Sequence, residues 1–407
     1  MSGALSHLTV LDLSRVLAGP WCGQILADLG ADVIKVERPG AGDDTRGWGP
    51  PFLRDTGGHD TADAAYYLCA NRNKRSLTVD FTTAEGQAII KSLARQSDVV
   101  LENFKVGGLA AYGLDYRSLR ADHPELVYCS ITGFGQTGPY APRAGYDLLV
   151  QAMGGMMSIT GRSDDEPGGG PQRAGVAVTD LFTGFYATIG ILAALAHRDR
   201  TGIGQQIDIG LFDVQVACLA NQAMNYLVSG AAPRRHGNAH PNLVPYQDFP
   251  TSDGHVLAAV GNDGQFARFC AVLGLPELAG DPRFTANKDR VTNRAELIPM
   301  LSAVTVANTT AHWAAALERV GVPAGPINTI DAVFADPQVR ARHMRIDLPH
   351  PAAGSVPLVA SPLNLSETPV SYRRAPPTLG ADSAVILRER LGMSDAAIET
   401  LKAKGIV

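Results

Sequence analysis

The stretch LTVLDLSRVLAGPWCGQILADLGADVIKVE, residues 8–37, reads as a strand, a turn, a helix and a second strand. LTVLDL (8–13) is a short apolar run, Gly19-Pro20 opens a helix from about Trp21 to Leu29, and DVIKVE (32–37) is the next strand. Two strands joined by a helix run parallel, because a crossover of this length returns the chain in the same direction. The pattern then repeats. RSLTVD (75–80) is a strand, Thr83 to Ala94 a helix whose Thr-Ala-Glu start suits capping, and DVVLENF (98–104) and LVYCSITGF (126–134) are further strands. The fold class is α/β, a mostly parallel sheet with helices on both faces. Ligands of such sheets bind beyond the carboxyl ends of the strands. That rule puts Glu37-Arg38, Asn103-Phe104 and Thr132-Gly133-Phe134 at the mouth of a site.

Between the second and third strands lies ERPGAGDDTRGWGPPF (37–52), too rich in Gly and Pro for regular structure and long enough to be functional. TGIGQQIDIGLFD (201–213) gives a turn, a strand and the start of a helix reaching about Val228, and 229–245 has linker composition. YQDF, a Ser-Asp-Gly turn at 252–254 and HVLAAVG then read as a hairpin, followed by helices near Gln265–Leu273, Asn293–Ala303 and Thr310–Val320. From about Asp331 come short helices, a strand near Ile346–Leu348 and two C-terminal helices. The domains expected are 1–225, a small α+β domain over 226–329, and a return to the large domain over 330–407.

Composition narrows the function. A net charge of −5 over 407 residues, with no basic run, gives no footprint for nucleic acid or an anionic membrane. The five cysteines are odd in number and widely spaced, which predicts reduced thiols in a cytoplasmic protein rather than disulfides or a metal site. MSGALSHLTV has neither the basic and apolar segments of a signal peptide nor an Arg-rich transit pattern. Strand one is followed by AGPWCG, not G-x-G-x-x-G, so dinucleotide binding is disfavoured. No Gly-Lys dipeptide offers a Walker loop, and no G-x-S-x-G offers a serine nucleophile. His236 and His240 are four apart but sit in a Pro/Gly-rich linker without a nearby acid, so no metal is expected.

One residue stands apart. Asp180 is alone in GVAVTDLFTGFYATIGILAALAH (175–197), the longest apolar run, whose Thr183, Gly184 and Gly190 mark it as a core helix rather than a membrane span. A carboxylate there is costly unless stabilised or used. It reads either as the N-cap of a helix from about Leu181 or as a reactive carboxylate aimed into a cleft. Polar groups suited to a long phosphate-bearing ligand gather at Arg38, at Asn71, Arg72, Asn73 and Lys74 before strand three, and at Asn103, Phe104 and Lys105. GNDGQ (261–265) reads as a flap or a helix start.

The segments VLDLSRVLAGP (10–20), LGADVIKVERPGAGDDTR (29–46), NRNKRSLTVD (71–80), VLENF (100–104), ITGFGQTGP (131–139), AGYDLLVQAMGG (144–155), GVAVTDLFTGFYA (175–187) and TGIGQQIDIGLFD (201–213) together resemble the class III CoA-transferases. This group includes formyl-CoA transferase, carnitine CoA-transferase and α-methylacyl-CoA racemase. The resemblance covers essentially the whole chain. It implies a Rossmann-like large domain built from both chain ends, a small central domain and an interlocked homodimer. It also implies a CoA thioester as substrate rather than a permanently bound cofactor, with an acyl-CoA donor and a carboxylic acid acceptor as partners. Asp180 falls at the family's nucleophile. Its CoA contacts fall on Val16 and Leu17, Arg38, Asn71 to Lys74, Asn103 to Lys105, and Thr132 to Phe134. Gly261, Gly264 and Gln265 match its glycine-rich loop, and Trp48 its substrate-pocket tryptophan.

The chain departs from formyl-CoA transferase at Leu17, a glutamine there, at Ala111, an arginine, and at Thr132, a lysine. These changes point away from oxalate and formyl-CoA. The racemases use histidine in an AGHD motif; here the motif is AGYD, with Tyr146. A phenol of pKa ~10 is a poor base at neutral pH, so transfer is expected over racemisation. The loop RPGAGDDTRGWGPPF, the helix DVQVACLANQAMNYL (213–227) and the ending AHPNLVPYQDF resemble the branch that moves CoA from succinyl-CoA to glutarate. Itaconate, mesaconate or malate are alternative acceptors. Arg46, Arg234, Arg235, His236 and His240 are the candidates to meet a distal carboxylate.

Overall fold

The computed structural model describes residues 3–407. These residues form two compact units, one from 3–156, 174–224 and 338–407, the other from 157–173 and 225–337. The boundaries expected at 226 and 330 thus fall at 225 and 338, and 157–173 goes with the second unit.

The strands in chain order are β1 (Thr9–Asp12), β2 (Asp32–Glu37), β3 (Phe52–Arg54), β4 (Asp60–Ala64), β5 (Lys74–Thr78), β6 (Val99–Glu102), β7 (Val127–Thr132), β8 (Gln206–Gly210), β9 (Tyr246–Pro250), β10 (His255–Ala259), β11 (Ala324–Pro326), β12 (Arg345–His350) and β13 (Gly354–Val359). Six of them make one sheet in the order β5-β2-β1-β6-β7-β8, and every pairing in it is parallel. The α/β class holds. Both faces of this sheet are covered. On one, Leu11, Ile34, Leu77 and Val100 pack with Ile89, Ile90, Ile386 and Leu387; on the other, Val10, Val33, Val99 and Val127 pack with Cys22, Leu26, Ala187 and Ile191. Strands buried on both faces read as continuous apolar runs, which is why they were visible in the sequence. In the second unit β11-β10-β9 form an antiparallel sheet over a core that includes Phe249, Phe266, Phe269 and Trp313.

Several local expectations shift. The first helix spans Ala18–Asp28, three residues earlier than the Pro20 signal suggested. The helix expected to run to Val228 is broken into Leu211–Ala217 and Ala220–Ser229, with Ala220 at a φ of 45°. Asp180 is not a cap: its helix spans Val178–Thr201 and the N-cap residue is Ala177. By length and apolarity this helix could cross a membrane, but half of its apolar window is buried, against the helix Ala18–Asp28 and strands β7 and β8. The two helices meet at Gly184, where a Cβ would stand 2.8 Å from the Ala18 carbonyl oxygen.

Candidate active site

Chain order reverses between β1 and β6, since the chain runs outward through β2 to β5 and then returns to β6. The connections leaving β1 and β6 therefore diverge, opening a crevice at their carboxyl ends. A cleft of about 570 Å³ lies there. Asn103, just after β6, spans the crevice: its Oδ1 accepts from Arg15 N at 2.8 Å and its Nδ2 donates to Arg15 O at 2.7 Å. The next residue, Val16, has φ 71°, a left-handed conformation that a β-branched side chain rarely adopts. Its N–H points at the Asp43 carboxylate, 3.3 Å away, which is itself paired with the buried Lys35 at 2.8 Å. Strain held by such over-determined contacts is a mark of functional sites.

At the cleft's other end, two glycines bring distant backbones together. A Cβ on Gly133, just after β7, would lie 2.5 Å from Gly145 Cα, so only glycines allow this approach. The contact seats Tyr146 and Asp147 in the lining of the cleft. Asp147 then does the capping that was one of the two readings of Asp180. Its Oδ1 accepts from Thr179 N at 2.9 Å and Asp180 N at 3.3 Å, and its Oδ2 accepts from the buried Gln151 amide at 2.6 Å. Both oxygens are thus engaged and the start of the 178–201 helix is fixed.

Asp180 sits in the first turn of that helix and also lines the cleft. It is 9% exposed, and no hydrogen bond or ion pair reaches its carboxylate among the described residues. Burial first, and the negative charge of Asp147 second, raise its pKa to about 7. Tyr66 is close enough to feel Asp180: burial and then that carboxylate push its phenol up to about 12. Trp48 packs edge-on against Tyr66 with ring centroids 5.2 Å apart. A desolvated acid without a partner, its pKa raised toward neutrality and lining a cleft, has the physical character expected of a reactive carboxylate.

The other expected residues divide. Val16, Leu17, Arg38, Asn103, Phe104, Lys105, Thr132, Gly133 and Tyr146 line the cleft with Asp180. Asn71 to Lys74 do not. Asn71 to Asn73 precede β5 and Lys74 is its first residue, so all four lie at its amino end; Arg72 is buried against Asp28 (Nε–Oδ1 2.9 Å) and Lys74 against Asp12 (2.9 Å). Asn73 donates to Asp28, and Asn71 to the Tyr67 carbonyl. Arg46 is also spent internally, on Glu37, Asp63, the Tyr67 hydroxyl and the Pro377 carbonyl. Phe134 is buried between Tyr140 and Phe212. In the second unit, Gly261-Gln265 is a helix start: Asn262 accepts from Gln265 N at 2.9 Å and the helix runs Asp263–Val272. His240 Nδ1 accepts from Asn242 N and Leu243 N.

Three residues of the cleft escaped the sequence reading. Arg15 lies over the Phe104 ring at 5.3 Å, Arg143 over Tyr140 at 3.9 Å, and Asp147 closes the acidic end. Besides Lys35, which is buried against Asp43, the lining carries Arg15, Arg38, Lys105 and Arg143, four cations suited to a phosphorylated ligand. Asp147 had a signal, the Tyr-Asp of AGYD, but the tyrosine drew the attention. Among the described residues no group of three His, Cys, Asp or Glu is placed to hold a metal.

A doubly wound parallel sheet whose strand-end cleft carries several cations and a nearly buried aspartate is an α/β scaffold fitted to an anionic ligand. The model of CoA-transferase family III matches residues 5–383, and the chain belongs to that family. It is 54% identical over 385 residues to the succinate–glutarate CoA-transferase of Agrobacterium fabrum, covering 95% of both chains. It is 45% identical to the human succinyl-CoA:glutarate CoA-transferase, over 99% of this chain and 90% of that one. The crystal structure of a CAIB/BAIF family protein from Brucella suis superimposes with a TM-score of 0.84 at 52% identity, covering 96% of this chain and all of the other.

Proposed function

We propose that the protein moves CoA from succinyl-CoA to a dicarboxylic acid, glutarate first among them, with Asp180 as the nucleophile. The observation that carries this reading is the unpartnered, nearly buried Asp180 carboxylate lining the same cleft as Val16, Arg38 and Asn103 to Lys105. The names of the relatives above support the donor and the acceptor.

An Asp180 oxygen attacks the thioester carbonyl of succinyl-CoA; the C–S bond breaks and CoA leaves as thiolate, giving a succinyl-aspartyl anhydride. The thiolate attacks the aspartyl carbonyl, succinate departs, and Asp180 carries CoA as a thioester. Glutarate attacks that carbonyl and displaces the thiolate, which then takes the glutaryl group and frees the Asp180 carboxylate. One thioester replaces another of similar energy, so no nucleotide is needed. Burial of Asp180 serves this chemistry by keeping water from the anhydride. A carboxylate is a weak nucleophile, and fixed placement supplies rate: oriented groups reach effective molarities of ~10⁵ M or more. The Asp147 cap provides that placement by fixing the helix start.

The cations Arg15, Arg38, Lys105 and Arg143 are the phosphate-facing groups in this reading, with the strained Val16-Leu17 backbone along the pantetheine path. The enzyme acts as a homodimer, interlocked as the resemblance implies. Exposed apolar side chains on the Asp180 helix (Phe185, Tyr186, Ile189) and on the helix Ala220–Ser229 (Leu227, Val228) are suited to subunit contact. A cytoplasmic location agrees with five free cysteines.

Borohydride or hydroxylamine added after succinyl-CoA tests the nucleophile. Asp180 in the modified peptide, by mass spectrometry, is the expected result; an unmodified Asp180 in turning-over enzyme would sink the mechanism. Asp180→Ala is expected to lose transfer by a factor of ~10³ or more while retaining CoA-ester binding. A panel of glutarate, itaconate, mesaconate, malate and oxalate with succinyl-CoA identifies the acceptor.

A further inference from the structure

Glu102, the last residue of β6, is a buried acid that the chemistry above does not use. It is 6% exposed, and no cation pairs with it among the described residues. Strand alternation puts it on the face of Val100, against the apolar core that Tyr128 and Phe104 also join. An apolar side chain would cost less there, since a desolvated carboxylate without a counter-charge is destabilising. What compensates the acid is specific. Its Oε2 accepts from Phe104 N at 2.8 Å, and the Ser130 hydroxyl, beside it in register on β7, also bonds to it. Ser130 Oγ in turn accepts from the Gln206 amide of β8 at 3.2 Å, so its single proton is directed to Glu102. Burial raises the Glu102 pKa to about 7 against the pull of these two bonds.

The bond to Phe104 lies where the sheet gives up its ladder. Leu13 N donates to Leu101 O at 2.8 Å, a backbone bond between the chain leaving β1 and β6. In a parallel pair the next such bond would run from Arg15 N to Asn103 O. Instead Arg15 N donates to the Asn103 side chain, at Oδ1, 2.8 Å away. The backbone has turned from β1 at Asn103, and the side chain has taken the ladder's place. Glu102 holds that turn by accepting the first N–H beyond it. Phe104 then carries the Arg15 guanidinium over its ring, and Asn103, Phe104 and Lys105 line the cleft with Arg15 and Val16.

We propose that Glu102 is a positioning residue for the CoA thioester, holding the 103–105 turn in the form that meets Arg15 and Val16. This rests on the reading of the cleft as the CoA site. Glu102 does not line the cleft itself; it acts through the Phe104 N–H.

The test uses three variants. Glu102→Gln keeps an oxygen for the Phe104 N–H at nearly the same volume, whereas Glu102→Met and Glu102→Leu keep the volume without the acceptor. CoA binding is measured by titration calorimetry, and succinyl-CoA kinetics with glutarate as acceptor. A turn in its binding-competent form only about a tenth of the time weakens binding roughly 10-fold. The CoA Kd and the succinyl-CoA KM should therefore rise about 10-fold in the Met and Leu variants, with kcat within about threefold of wild type. Glu102→Gln should recover binding to within about threefold. A merely structural acid would give the opposite split, with a lower Tm and a lower kcat at an unchanged KM. Asn103→Ala loosens the same turn from its other side, so its effect and that of Glu102→Met should not add. A CoA Kd within about twofold of wild type in whichever apolar variant folds, a tenfold loss in Glu102→Gln, or fully additive effects would overturn the role. Failure of the transferase reading looks different: the wild type then binds CoA but moves none to any dicarboxylate, and the role of Glu102 in binding stands.

Discussion

At the residue scale, the raised pKa of Asp180 links stability to reactivity. The group titrates near 3.8 in an unfolded chain and at about 7 here, so the folded state binds its proton more tightly. Stability therefore falls as pH rises from about 4 to about 7 and stays reduced above that. At ~1.4 kcal/mol per pKa unit the loss is on the order of 4 kcal/mol. Asp180→Asn escapes it and should be more stable than wild type at pH 8 but not at pH 4, as urea denaturation at the two values will show. For turnover the sign is opposite. Asp180 must be ionised to act as the proposed nucleophile, so kcat/KM should climb with pH along an acid limb centred near 7. Asp147→Asn keeps an oxygen for the helix-cap N–H groups but removes the neighbouring charge. The limb should move toward lower pH by roughly 0.5 to 1 unit; an unmoved limb would mean that burial alone sets the value.

Elements carry a second lesson, because the site is assembled where they end. The six strands of the parallel sheet were legible, since runs such as DVIKVE and VYCSIT are apolar on both faces. The hairpin β3-β4 was not: its second strand, DTADA, is short, carries two aspartates and no β-branched apolar residue, and is buried only at Asp63 and Ala64. Strand β13 alternates as its partner β12 does, but Pro357 inside GSVPLV masks it, since a proline within a run demotes a strand reading. Asn71 to Lys74 fall outside this cleft because, in a parallel sheet, residues at the start of a strand lie at the opposite edge from those after it. The turn after β1 was singled out only through the family resemblance, and its strain at Val16 was not legible at all, because a φ of 71° is imposed by Asn103 and Asp43 from elsewhere in the chain. Val16→Gly should relieve ~1 kcal/mol or more of strain, partly offset by glycine's greater freedom when unfolded. Tm should be unchanged or higher. If the bent loop guides the thioester, the KM for succinyl-CoA should nevertheless rise several-fold, because the loop is no longer held open.

On the scale of the whole molecule, the large unit depends on joining the two ends of the chain. Asp28, at the end of the first helix, is the hub. It accepts from Arg72 and from Asn73; Arg72 then reaches the Val359 carbonyl, and Asn73 the carbonyl of Ser371 and the backbone N–H groups of Arg373 and Arg374. Arg373 closes the ring by donating to the carbonyls of Ala27, Gly30 and Ala31. All of this is buried or partly buried, so the value of the pairs lies less in net attraction than in the cost of breaking them. Asp28→Ala would strand the Arg72 guanidinium without a counter-charge and should cost about 3 to 5 kcal/mol. Three tryptophans allow the loss to be located. Trp21 and Trp48 lie in the large unit, and Trp313 is buried in the second unit's core with its Nε1 bonded to the Thr305 carbonyl at 2.7 Å. In single-tryptophan variants, the guanidinium midpoint reported by Trp21 or Trp48 should drop in Asp28→Ala, with a smaller change at Trp313. An unaltered Trp21 midpoint would show that the chain's ends are held together by apolar packing alone, and that the NRNK segment has another task.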